Sequence, residues 1–292
     1  MKPFFIVNPV AGGGKAKEKF EKLASLLRDR GVEFGYVTTE NENESTRLAE
    51  EAYAAGERYI VSVGGDGTLN EVASALCTKD DVILGICPFG TGNDFARVLR
   101  LPDELEEMVK ILLDGSPKRI DVGSANGKPF VNVGGMGFDV DVVINTERYK
   151  DRFHGMIPYL FGIFRSMLHL NRVPVKVTAD GEVIEEKILI LAVANGSHFG
   201  GGMHVAPEAD ASDGLFDVCM IKAVGFLKFI TLLPSFIKGK HLGKAPVRYF
   251  KAKEVSIECD RAPIQLDGEL GEYAPVVFKV LPGALDIMLP SE

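Results

Sequence analysis

The sequence predicts an α/β protein of two domains, an N-terminal Rossmann-like parallel-sheet α/β domain and a C-terminal β-sandwich-like domain. Three observations carry this. Short apolar runs alternate with helical runs as far as Gly115. Beyond Gly115 the texture changes to hairpins and successive strand-like runs. The 292 residues, 46% hydrophobic and 25% charged, are enough for two modest domains with substantial cores.

In chain order, "FFIVN" reads as a strand and Lys15 to Arg30 as a helix closed by Gly31. "FGYVTT" is a second strand, Ser45 to Ala55 a helix, "YIVSV" a strand, and Leu69 to Leu76 a helix. "ILGICPF" follows as a strand, then a short helix from Asp94 to Leu99 and another from Asp103 to Leu113. Apolar strands with little period-two alternation, interleaved with helices, imply a parallel sheet covered on both faces.

In the second part, "RIDVGSANGKPFVNV" reads as a hairpin turning at Asn126-Gly127, and "VKVTADGEVIEEKILILAVANG" as another turning at Asp180-Gly181. These turn residues tolerate the positive φ that tight hairpins demand. "FDVCMI", "VRYFKA", "EVSIEC", "PIQLDG", "PVVFKVL" and "ALDIML" continue the strands, with helical segments near 153–170 and 225–238. The expected division is 1–122 for the α/β domain and 123–284 for the β-rich domain, with about 285–292 a candidate to return to the first.

A net charge of -8 argues against a general nucleic-acid binder, which carries a basic footprint. Cys77, Cys87, Cys219 and Cys259 lack ligand spacing and read as reduced thiols of a cytoplasmic protein. The apolar part of "MKPFFIVNPV" is short for a secretory signal, and "GMIPYLFGIF" is half of a membrane span. His198 and His204 flank "FGGGM" without a carboxylate or thiol to complete a metal site.

"GGDGT", Gly64 to Thr68, lies between a strand and a helix whose Thr68-x-x-Glu71 spacing fits a capping box. Ligands of parallel α/β sheets sit at the carboxyl ends of strands. Glycines there let consecutive N–H groups face one concavity, and the helix N-terminus adds positive partial charge, which together suit a phosphate. "PFGTGNDFAR", Pro88 to Arg97, and "NPVAGGGKA" occupy equivalent positions after two other strands. Three such loops on one sheet edge point to a nucleotide. Neither GxxxxGK[ST] nor GxGxxG is present, so a P-loop ATPase and a dinucleotide fingerprint are both disfavoured.

"NPVAGGGK", "GGDGTLNEV", "PFGTGNDFAR", "PEADASDGLFDV" and "LDGEL" occur in an order that resembles the diacylglycerol kinase catalytic-domain family, in particular its soluble bacterial lipid kinases. The resemblance covers essentially the whole chain. It implies ATP-dependent phosphorylation of a lipid hydroxyl, with diacylglycerol the first candidate, the nucleotide on the first domain and the lipid in a cleft between the two. By position it implies that Asn8, Thr39, Gly64, Gly65, Asp66, Gly67, Thr68 and Thr91 hold ATP. It implies that Asp267 and Glu269 approach the reacting hydroxyl, without deciding between them. It also implies a structural Mg²⁺ at Asp210, Asp213 and the Leu215 carbonyl, with Asp94 and Asp66 connected to such ions through water. Lys15 stands slightly later than the basic residue of relatives.

Phosphoryl transfer asks mainly for positioning and charge neutralisation. Mg²⁺ would bridge ATP and Asp66 or Asp94, and a carboxylate in reach of the hydroxyl would take its proton. Asp267 and Glu269, two apart, share a face if both lie on one strand and Gly268 does not break it.

The acidic total hides two acid-free segments. Residues 152–179 carry Arg152, Arg165, Arg172 and Lys176; residues 218–253 carry Lys222, Lys228, Lys238, Lys240, Lys244, Arg248, Lys251 and Lys253. Each contains an aromatic-rich helical run, which suits a transient contact with an anionic membrane surface and a peripheral location. A "KVL" or "RYF" strand at a sheet edge offers a route to a homodimer. Two other readings remain open: a small-metabolite kinase of the NAD kinase kind, and a non-catalytic lipid- or nucleotide-binding regulator.

Overall fold

The computed structural model describes residues 1–150 and 157–291. The chain divides into two compact units, Met1–Val122 with Pro282–Glu292, and Gly123–Leu281. The elements in order are β1 (Phe4–Val7), α1 (Lys15–Asp29), β2 (Gly35–Thr38), α2 (Ser45–Ala54), β3 (Tyr59–Gly64), α3 (Asp66–Leu76), β4 (Ile83–Pro88), α4 (Asp94–Val98), α5 (Leu105–Asp114) and β5 (Ser116–Ala125). They continue with β6 (Lys128–Phe130), β7 (Val133–Gly137), α6 (Phe138–Lys150), α7 (Ile157–Leu168), β8 (Val173–Ala179), β9 (Glu182–Ala194), β10 (Phe216–Lys222) and α8 (Phe226–Ile237). The last are β11 (Val247–Ala252), β12 (Glu254–Glu258), β13 (Pro263–Leu266), β14 (Glu269–Tyr273) and β15 (Val276–Leu289).

In the first unit β2, β1, β3 and β4 pair in parallel in that order. The end of β15 extends the sheet, Asp286 and Ile287 pairing in parallel with Ile83 and Leu84. Every residue of β3 is buried, as a strand covered on both faces must be. The amphipathic α1 and α5 bury Phe20, Leu23, Leu27, Met108 and Leu112 against it. The expected parallel α/β architecture is the one found.

Two local expectations are corrected. α3 begins at Asp66, with Gly65 at its N-cap and no side-chain cap bond, so the Thr68/Glu71 capping box is not made. Glu71 instead accepts the Ser45 N–H at 2.8 Å and satisfies the start of α2. In addition, α6 is a helix that the sequence reading did not anticipate. It opens with Phe138, Val140 and Val142 alternating with Asp139 and Asp141, a period-two pattern that does not announce a helix.

The second unit is antiparallel. β9 is long enough to serve two partnerships: its first half pairs with β8 and its second half with β7 and β10. β13 and β14 extend from β7, β11 from β10, and β12 joins β8 to the start of β15. The sandwich-like core includes Phe130, Phe216 and Phe278, with Phe130 5.8 Å from each of the other two rings. A second apolar cluster, on β7, β9 and β10, receives α7 and α8. Arg152 and the expected start of the helix near 153 lie outside the described residues. Among the described residues no helix is long and apolar enough to cross a membrane.

Candidate functional site

The parallel sheet of the first unit brings the ends of β1, β3 and β4 to one edge, and the loops leaving them touch. A Cβ on Gly90 would stand 2.3 Å from the Gly65 Cα and 2.9 Å from its nitrogen. One on Gly12 would stand 2.5 Å from the Phe89 carbonyl oxygen. Glycine is therefore required at both positions by backbone packing against backbone. Asn93, at φ 53°, ties the third loop together. Its amide donates to the Pro88 and Gly90 carbonyls at 2.8 and 3.1 Å, and its side-chain oxygen accepts the Gly90 N–H at 3.1 Å. The Asn8 amide donates to the Thr68 hydroxyl at 3.0 Å, joining the first loop to α3.

A small cavity lined by Gly64, Gly65, Asp66, Pro88 and Asn93 lies at this meeting point, at the N-terminus of α3. Of the residues expected to hold ATP, the structure gathers Asn8, Gly64, Gly65, Asp66, Gly67 and Thr68 here. Thr68 is buried with its hydroxyl on Asn8. Thr91 is exposed on the third loop, and buried Thr39 follows β2, its N–H on the Val7 carbonyl at 2.9 Å.

Asp66 and Asp94 form an acidic pair. Burial, and then the charge of Asp94, push the Asp66 carboxyl above its usual range, while the Phe95 N–H donates to it at 3.3 Å. Asp94 is buried and accepts Arg97 at 2.6 Å. The close approach is again glycine-dependent: a Cβ on Gly92 would stand 2.8 Å from an Asp66 carboxylate oxygen. A half-buried Asp66 beside a buried Asp94, whose charge opposes the ionisation of Asp66, suits a divalent cation with oxygen ligands.

In the second unit β13 turns into β14 through Asp267 and Gly268, at φ 51° and 86°. Positive φ at both central residues is the two-residue hairpin geometry. Asp267 and Glu269 therefore do not share a strand: Asp267 occupies the turn and Glu269 opens β14. The Asp267 carboxylate accepts three backbone N–H groups, from Val131 at 2.7 Å and from Asn132 and Val133 at 2.9 Å. These bonds set its orientation against the β6–β7 connection. Gln265, buried on β13, accepts the Gly268 N–H at 2.8 Å and donates to Asp139 at 3.1 Å. Asp139 is itself buried, and burial pushes its carboxyl up to about 6. This support beneath the turn was not legible in the sequence, since Asp139 and Gln265 meet only through the pairing of β13 with β7.

The acidic loop holds another unexpected partner. Asp210 accepts the Ser212 N–H and hydroxyl at 3.0 and 2.6 Å, and Asp213 accepts the Leu215 N–H at 3.0 Å. The other Asp213 oxygen meets the Lys251 ammonium at 2.7 Å. Lys251 also contacts Asp217, whose side chain is fully buried, at 2.9 Å and the Glu208 carbonyl at 3.3 Å. An ammonium thus stands beside the residues expected to hold a structural metal. Among the described residues no three His, Cys, Asp or Glu side chains gather as a metal-ligand group.

Family models match the chain in two successive stretches. The family model of the diacylglycerol kinase catalytic domain matches residues 2–125. That of the YegS C-terminal NAD kinase beta sandwich-like domain matches residues 132–289. A diacylglycerol kinase of Mycobacterium tuberculosis is 30% identical over 98% of this chain and 94% of its own. The chain belongs to the diacylglycerol kinase catalytic-domain family. A diacylglycerol kinase of Bacillus subtilis is 28% identical over 98% of this chain and 96% of its own. A crystal structure of a diacylglycerol kinase from Bacillus anthracis aligns over 99% of this chain and 96% of its own, with a TM-score of 0.74 at 25% identity. Membership in this lipid kinase family makes the chain a kinase, an enzyme class that uses a nucleotide.

Proposed function

We propose that this kinase transfers the γ-phosphate of ATP to the free hydroxyl of diacylglycerol, giving phosphatidic acid. The observation that carries the nucleotide half is the contact of three strand-end loops through glycines at the N-terminus of α3. Backbone N–H groups and the helix terminus there receive the phosphates. Asp66 and Asp94 fit Mg²⁺, which supplies charge neutralisation for the phosphates when bound. Asp210, Asp213 and the Leu215 carbonyl fit a second ion less well, because both Asp213 oxygens already have partners.

The acceptor half rests on the β13–β14 turn. Phosphoryl transfer proceeds through a loose transition state, so a positioned carboxylate matters more than a strong base. Asp267, oriented by three N–H donors, accepts the proton of the attacking hydroxyl. Glu269 stands next to the turn and orients the lipid headgroup. The enzyme works at the surface of the membrane that contains its substrate.

The reading is tested by offering ATP and Mg²⁺ with a panel of acceptors: diacylglycerol, monoacylglycerol, a sphingoid base and NAD. Phosphate on diacylglycerol supports it. Phosphate on NAD alone moves the protein to the small-metabolite kinases, and nucleotide binding without transfer to any acceptor supports the regulator reading.

A further inference from the structure

Two helices of the second unit carry apolar side chains on both sides. α8 has one charged residue in twelve, Lys228. Its inner side buries Phe229, Leu232 and Phe236 in the cluster on β7, β9 and β10. Its other side exposes Phe226, Leu227 (79% exposed), Ile230 and Ile237. α7 repeats the pattern. Ile163 and Met167 pack on the same cluster, while Ile157, Phe161, Phe164 (64% exposed) and Leu168 are exposed. Those four recur at spacings of four, three and four, which is one stripe of a helix. Eight exposed large apolar residues on two helices that share one cluster exceed the single scattered residues of an ordinary surface.

The charges around them choose the partner. Arg165, Lys228, Lys238, Lys240 and Lys244 are exposed and, among the described residues, none is ion-paired. No acid occurs from 157 to 179 or from 218 to 253. A second copy seated on the same face would oppose cations to cations with no carboxylate in either segment. An anionic bilayer meets both features, with headgroup phosphates for the cations and the acyl boundary for the stripes.

We propose that the outer faces of α7 and α8 are the surface by which this protein docks on an anionic lipid bilayer. The inference takes its purpose from the lipid kinase reading, because a diacylglycerol resides in the bilayer, but its measurement needs no turnover.

The test is co-sedimentation with vesicles of phosphatidylglycerol and phosphatidylcholine in equal parts, beside vesicles of phosphatidylcholine alone. The wild type is expected on the anionic vesicles, with binding that falls as salt rises. Leu227→Asp with Ile230→Asp lowers the partition coefficient by about tenfold or more, and Phe164→Asp lowers it from the other helix. Lys238→Glu with Lys240→Glu, which disturbs no packing, lowers it and flattens its salt dependence. Turnover on a detergent-dispersed acceptor stays within about twofold for the lysine pair. A wild type that does not sediment, or variants that bind as it does, overturns the proposal. A wild-type dimer that the variants convert to monomer, with vesicle binding unchanged, overturns it in favour of a contact between copies. Absent turnover in the wild type with normal vesicle binding would count against the kinase reading and leave the docking surface standing.

Discussion

The side-chain amide of Asn8 donates to the hydroxyl of Thr68 across 3.0 Å, fastening the loop after β1 to the first turn of α3. The bond spans sixty positions of sequence and holds two of the three strand-end loops in register. Thr68→Val removes the acceptor while keeping the shape, leaving the Asn8 amide unpaired. A stability loss of about 1–2 kcal/mol is expected, with ATP affinity reduced about tenfold by calorimetry as the loops separate. A double-mutant cycle with Asn8→Ala returns a coupling of about 1 kcal/mol; additive effects would show that the bond does not link the loops.

Gly90→Ala places a methyl where the Gly65 backbone lies, 2.3 Å away. The loops must separate to admit it. ATP binding is expected to fall below detection while the far-ultraviolet spectrum stays near that of the wild type. Normal ATP affinity in this variant would mean that the loop contact does not shape the nucleotide site.

Asp267 in the turn and Glu269 at the start of β14 are not equivalent. Asp267→Asn is expected to lower kcat by at least about a hundredfold with little change in ATP affinity. It also costs about 1–3 kcal/mol of stability, because an amide presents an N–H group to one of the three backbone donors. Glu269→Gln is expected mainly to raise the KM for lipid. Reversal of the two patterns would assign the proton acceptor to Glu269.

The fold was legible because β3 and β4 are apolar apart from Ser62 and because Asn126-Gly127 and Asp180-Gly181 are residues that tolerate positive φ. The glycine loops were legible for the same local reason. What escaped the sequence depended on distant partners. Glu71 left its own helix for Ser45, Lys251 reached Asp213 and Asp217, and Gln265 bridged Asp139 to the turn. α6 escaped because apolar Phe138, Val140 and Val142 alternate with Asp139 and Asp141 as in a strand.

Asp139 sets a pH dependence. Its carboxyl rises from 3.8 to about 6 on burial, so the folded protein holds this proton more tightly than the unfolded chain. The stabilisation is complete below pH 3.8 and is lost as pH rises through about 6. Between pH 5 and 8 the wild type should lose about 1.5 kcal/mol relative to Asp139→Asn, measured by urea unfolding at both values. A difference that stays constant with pH would show that Asp139 does not titrate in this range.

Divalent cations and Lys251 should act on different properties. A chelator is expected to stop turnover without lowering the melting temperature, because the acidic loop is held by the Lys251 ammonium. Lys251→Met should cost about 2 kcal/mol, since it leaves buried Asp217 without its cation, with allowance for the partial exposure of Lys251. A large fall in melting temperature with chelator alone would place a structural metal in that loop instead.

The most direct measurement is transfer of labelled γ-phosphate from ATP to diacylglycerol in mixed micelles, by the wild type beside Asp267→Asn. Labelled phosphatidic acid is expected from the wild type and almost none from the variant, with ATP bound by both. Label on NAD but not on lipid, or equal labelling of lipid by both proteins, would contradict a diacylglycerol kinase with Asp267 as proton acceptor.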